Sequence, residues 1–178
     1  MTAQLKKGFT LIELLIVIAI IGVLAVVVLV AINPVEQLAK TRDSGRISTV
    51  TQLGHALEAY YTARDALFPP AAPAWGADLT RSGELSTFPA GIAYTAYGVG
   101  NCTENEQPAT DSTYCYDWNS TDGALVYSRM ESNSQNNKCP GGTPMGFAVF
   151  STADGRGGIV CDTGTILDPW ASGTQTYY

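Results

Sequence analysis

Apolar positions follow three regimes along the chain. Residues 8–32, GFTLIELLIVIAIIGVLAVVVLVAI, form a run of 25 residues with a single charge, Glu13. At 1.5 Å rise per residue, a helix of that length matches the ~30 Å apolar core of a bilayer. Asn33-Pro34-Val35-Glu36 then breaks the pattern. Proline removes a backbone N–H and clashes with the turn before it, while Asn33 as N-cap, Pro34 at the first position and Glu36 at the third suit a fresh helix start. One long helix kinked near Pro34 is predicted, with a stop and restart as the alternative. From 35 to about 65 the pattern is amphipathic. Ile47, Val50, Leu53, Leu57 and Tyr60 recur at steps of three and four, and Ser48, Thr51, Gln52, His55 and Glu58 fall mostly on the other side. Gly45 and Gly54 each weaken an isolated helix by about 1 kcal/mol, so packing must hold this half. Phe68-Pro69-Pro70 ends it.

Beyond an irregular connection over 71–89, with a short helical turn expected near 78–85, the period changes. Segments 92–99, 113–118, 124–130, 146–152 and 158–161 are short and rich in aromatic or β-branched residues. Gly, Asn, Asp and Pro punctuate the gaps, and 119–123 and 153–157 suit hairpin connections. The expected fold is α+β. A small antiparallel sheet of four or five strands packs one face on the helix stripe and leaves the other partly solvated.

Charge narrows the functional classes. The 178-residue chain carries a net charge of −6, and no Lys/Arg cluster exists beyond Lys6–Lys7, so a nucleic-acid footprint is not predicted. From Ala66 onward, four basic residues stand against eleven acidic ones. With Lys6–Lys7 in the cytoplasm, that acidic part lies outside the membrane. Cys102, Cys115, Cys139 and Cys161 all fall there. An even number beyond a membrane segment reads as disulfides, with zinc as the rival, although no CxxC spacing exists. Of three connectivities, Cys102–Cys115 with Cys139–Cys161 closes the shortest loops and is favoured.

The start of the chain is basic, short and followed at once by an apolar run too long for an ordinary cleaved signal. The bland reading is an uncleaved signal anchor. The stretch KKGFTLIELLIVIAIIG, continuous from Lys6 to about Leu24, closely resembles the type IV pilin and type II secretion pseudopilin family. That resemblance implies cleavage by a prepilin peptidase after Gly8 and N-methylation of the new N-terminus, Phe9. It places Glu13 on the glutamate that meets the amine of a neighbouring subunit and sets register. An intrachain pair is the simpler alternative, because Phe9 and Glu13 are one helical turn apart. Gly22 and Pro34 bound the stretch that can lose helicity on assembly. The implied domains are a cleaved leader (1–8), a membrane and filament-core helix (9–33), an amphipathic half (34–67) and an extracytoplasmic β domain (68–178).

Other chemistry is scarce. The single histidine, His55, sits on the polar helix face, so no catalytic triad is proposed and no enzyme is expected. Asp154, Asp162 and Asp168 would supply oxygen ligands to calcium, as in major pseudopilins, but their spacing matches no loop motif and turns are the favoured reading. No other cofactor and no other metal is expected. Asn101 and Asn119 begin N-x-[ST] sequons. The expected function is a structural filament subunit, of a type IV pilus or of a secretion or competence pseudopilus. Its implied partners are identical or related pilin subunits, the peptidase and N-methyltransferase, the assembly platform and ATPase, and the inner membrane before assembly. The rival from another class is a membrane-tethered extracellular binding or adhesive domain that does not polymerise.

Overall fold

A computed structural model describes residues 8–70, 75–94, 113–142, 145–163 and 167–178. Two compact units divide the chain, Met1–Gln37 and Leu38–Tyr178. The first carries helix α1 (Leu11–Ile32) and the start of α2 (Pro34–Ala63). The long N-terminal helical run is therefore present, and its interruption takes the form of a single residue. Asn33 adopts φ 47°, ψ 76°, the left-handed region that asparagine tolerates better than most residues. Its Oδ1 accepts the Glu36 N–H at 3.4 Å and its carbonyl accepts the Gln37 N–H at 3.3 Å, while Pro34 brings its fixed φ to the first helical position. Asn33 thus ends one helix and caps the next, which is the restart.

The second unit continues with α3 (Trp75–Ser82), β1 (Cys115–Asn119), β2 (Gly123–Arg129), the one-turn helix α4 (Asn133–Asn136), β3 (Met145–Ser151) and β4 (Arg156–Asp162). The strands form an antiparallel meander in the order β1-β2-β3-β4. The expected connections close it. At β1–β2, Asn119 Oδ1 accepts the N–H groups of Thr121 and Asp122 at 2.8 and 2.6 Å, and Gly123 takes φ 81°. At β3–β4, Gly155 supplies φ 62°. The expected strand over 92–99 is corrected where it can be seen. Residues 92–94 are not strand, and the Ile92 and Ala93 carbonyls accept hydrogen bonds from Arg46 instead of a ladder. Residues 95–99 lie outside the described residues.

One sheet face packs on α2 as expected. Val50, Leu53, Ala56 and Leu57 meet Tyr116, Val126, Ala148, Phe150 and Ile159, joined by Trp75 and Leu79 from α3. Burial of each large aliphatic side chain stabilises by roughly 1.5–3 kcal/mol. The helix approaches so closely that a Cβ on Gly54 would run into the Phe150 ring, which explains a glycine that helix propensity alone disfavours. The opposite face departs from expectation. Leu125, Tyr127, Phe147, Val149 and Val160 are buried there with Leu167 and Trp170, and Tyr177 packs against them. The chain beyond β4 covers this face, because alternate positions of β2 and β3 are apolar on both sides and could not remain in water.

Candidate assembly site

The N-terminal helix begins with a reciprocal cap. Thr10, in extended conformation, accepts the Glu13 N–H through Oγ1 at 3.2 Å. Glu13 Oε2 in turn accepts the Thr10 N–H and the Thr10 hydroxyl, each at 2.8 Å. This capping box satisfies two of the free donors at the helix start and sets a carboxylate at the positive end of the dipole. Gly8 and Phe9 precede the cap in non-helical backbone; Phe9 is 87% exposed, and nothing lies within 4 Å of a Cβ built on Gly8. Lys6 and Lys7 lie outside the described residues.

After the cap comes surface of one kind only. All 22 residues of α1 are exposed, and Glu13 is the sole charge among them. Valine and isoleucine, modest helix formers, dominate it, so an apolar surrounding rather than propensity must stabilise the helix. It is long and apolar enough to cross a membrane. Gly22 stands in its middle with open space around it, and Pro34 starts α2.

The remaining expected site residues belong to the second unit. Cys139 and Cys161 are joined, with Cα atoms 5.4 Å apart, which ties the end of the α4 segment to β4. Cys115 is also disulfide-bonded, while Cys102 lies outside the described residues. Asp154 is turned inward to the chain end. It accepts hydrogen bonds from Trp170 Nε1 at 2.9 Å, the Gly173 N–H at 2.7 Å and the Tyr177 hydroxyl at 2.8 Å. Burial works against its ionisation, yet these donors and the Ser172 hydroxyl hold its carboxyl down at about 2. Burial first, and then the Asp154 carboxylate, push the Tyr177 phenol up to about 12. Among the described residues no group of three His, Cys, Asp or Glu side chains comes together as a metal centre. His55 is exposed, 3.2 Å from Glu58. Asn119 spends its amide nitrogen on Asp122 at 3.1 Å, and Asn101 lies outside the described residues.

A buried ionic cluster had no counterpart in the expectations. Asp43 and Arg46 of α2 are both fully buried and paired at 2.8 Å. Asp43 also accepts the backbone N–H groups of Glu131 and Ser132 at 2.9 and 2.7 Å. Arg42 grips Glu131 with two bonds of 2.8 and 2.9 Å, and the Arg46 guanidinium lies 3.9 Å from the centre of the Tyr94 ring. The Glu131 carboxylate holds the Arg42 guanidinium above its ordinary value. Two cations and two anions thus close on one another and join α2 to the chain after β2 and to residues 92–94. A signal for this was present. Arg46 and Asp43 continue the stripe of Val50, Leu53 and Leu57 in phase, one and two turns before Val50.

Residues 4–29 match the prokaryotic N-terminal methylation motif, which is typical of type IV pilins and pseudopilins. No curated protein and no solved structure matches the chain. The motif and the apolar helix fit a membrane-anchored N-terminus, and the long helix followed by a four-stranded antiparallel sheet is a pilin-like α+β architecture.

Proposed function

We propose that the chain is a structural subunit of a type IV pilus or pilus-like filament, made as a membrane-anchored prepilin with its second unit outside the cytoplasmic membrane. The observation that carries this reading is α1, which is wholly exposed and apolar on every side behind a processing motif. Such a surface has two favourable surroundings, lipid and other helices of its own kind. Storage in the membrane and packing in a filament core use it in turn.

Hydrolysis of the Gly8–Phe9 peptide bond removes the basic leader and frees an amine at Phe9. The exposed, non-helical backbone ahead of the Thr10 cap suits a peptidase, and the capping box survives the cut because it begins at Thr10. A charged amine in apolar surroundings is costly alone and is relieved by a carboxylate. Glu13 is that carboxylate in this proposal, offered to the Phe9 amine of the neighbouring subunit and so setting register. The peptidase and N-methyltransferase, an assembly platform with its ATPase, and sister subunits are the implied partners.

Two measurements on one preparation test this. Mass spectrometry of protein sheared from cells should find chains beginning at N-methylated Phe9. Glu13→Ala should remain in the membrane fraction and fall at least tenfold in the sheared fraction. An intact leader on filament-borne protein, or unchanged filament yield from Glu13→Ala, would sink the proposal.

A further inference from the structure

A cleft of about 650 Å³ opens in the second unit between the end of α2 and the β1–β2 hairpin. Its aromatic wall is continuous. Tyr61 stacks on Phe68 with ring centres 4.5 Å apart, and Phe68 leans on Trp118 at 6.2 Å. Glu58 and Asp122 bring two carboxylates, and among the described lining residues there is no Lys or Arg. The cleft also lies at the C-terminal end of α2, whose last turn holds no basic side chain. Arg64, the nearest cation in sequence, sits over the Tyr60 ring at 5.4 Å and is not among the lining residues.

Three sources of negative potential therefore coincide: carboxylates, aromatic faces and the carbonyl end of a helix. The backbone around the cleft is arranged at a cost. Asp65 and Ala66 are consecutive non-glycine residues in the left-handed region, φ 50° and 63°. The Ala66 N–H donates to the Tyr61 carbonyl at 3.1 Å and the Leu67 N–H to the Arg64 carbonyl at 3.0 Å. That reversal delivers Phe68 to the wall and leaves Leu67 62% exposed at the rim. Strain of this kind clusters where a binding surface is shaped.

The state of the acceptors decides between kinds of cation. Glu58 Oε2 already meets His55 Nδ1 at 3.2 Å, and Asp122 Oδ2 accepts the Asn119 amide at 3.1 Å. Neutral lining groups are engaged as well. Asn119 Oδ1 already accepts two backbone N–H groups, Thr152 Oγ1 is engaged with Ala124, and Thr62 Oγ1 donates to the Ala59 carbonyl. A primary ammonium brings three N–H donors that need acceptors. A quaternary ammonium brings none, and aromatic walls with nearby carboxylates are its usual surroundings. We propose that this cleft binds a quaternary ammonium group of the choline type.

The test is titration of the full chain in maltoside detergent with choline chloride at constant ionic strength, read by saturation-transfer NMR. Choline should bind saturably, and its neutral isostere 3,3-dimethylbutan-1-ol at least tenfold more weakly. Tyr61→Ala should reduce choline affinity about tenfold. Glu58→Gln, a near-isosteric change at a half-buried position that leaves the aromatic wall in place, should reduce it several-fold with the thermal melt unchanged. Equal affinity for the neutral isostere would show selection for shape alone and overturn the proposal, as would the lack of saturable choline binding or unchanged affinity in Glu58→Gln.

Discussion

Asp43 joins two segments far apart in sequence: its carboxylate serves Arg46 on its own helix and two backbone N–H groups beyond β2. Asp43→Ala leaves a buried guanidinium without that partner and two amides without an acceptor. The expected loss is on the order of 3–5 kcal/mol, read by urea unfolding in detergent. A loss below about 1 kcal/mol would mean that water or a neighbour replaces the carboxylate. Asp43→Asn, which keeps an acceptor, should be milder. At this scale the sequence was only half legible. The three- and four-residue phase of α2 runs through Asp43 and Arg46, but their charge argues for solvent. Part of what makes them compatible with burial lies far along the chain: the Glu131 carboxylate for Arg46 and the Glu131 and Ser132 N–H groups for Asp43. The Thr10–Glu13 capping box went unread as well, although its three-residue spacing is a local pattern that needs no distant partner.

Among elements, the four strands were legible because short runs rich in aromatic and β-branched residues between turn residues are a local signal, which misled only at residues 92–94, where no strand forms. The cover over the second sheet face was not. Leu167, Trp170 and Tyr177 follow neither a helical nor a strand period, and they are placed by Asp154 and by the bridge of Tyr177 to Val160. This cover has a pH window. Asp154 titrates at about 2 in the folded chain, against roughly 3.9 when unfolded. Its contribution is therefore present above about 4 and is lost as pH falls through about 2. Tyr177 titrates at about 12 when folded, against roughly 10 unfolded. Its contribution holds below about 10 and is lost as pH rises through about 12. The Trp170 indole N–H resonance should report both limits by NMR, and Asp154→Asn should remove the acid one. A resonance indifferent to pH 2 in the unaltered chain would contradict the clamp.

For the whole molecule, the division after Gln37 separates surface that needs external partners from surface that satisfies itself. Both buried clusters lie within Leu38–Tyr178. A chain beginning at Leu38 is expected to be soluble without detergent and to unfold in one cooperative thermal transition, with the near-ultraviolet signature of the full chain. Aggregation or a featureless melt would show that the first unit is needed for folding. The N-terminal unit was the most legible part because its helix α1 has no buried residue, so composition and spacing describe it without any long-range contact. The head was legible as a class of fold but not in its ionic cluster or its C-terminal cover, both of which depend on contacts across long sequence separations. That cover also makes one face of the sheet depend on a segment that comes after the last strand. A chain stripped of residues 167–178 would bare Leu125, Tyr127 and Val149 as an open greasy face of the kind proteases and chaperones recognise.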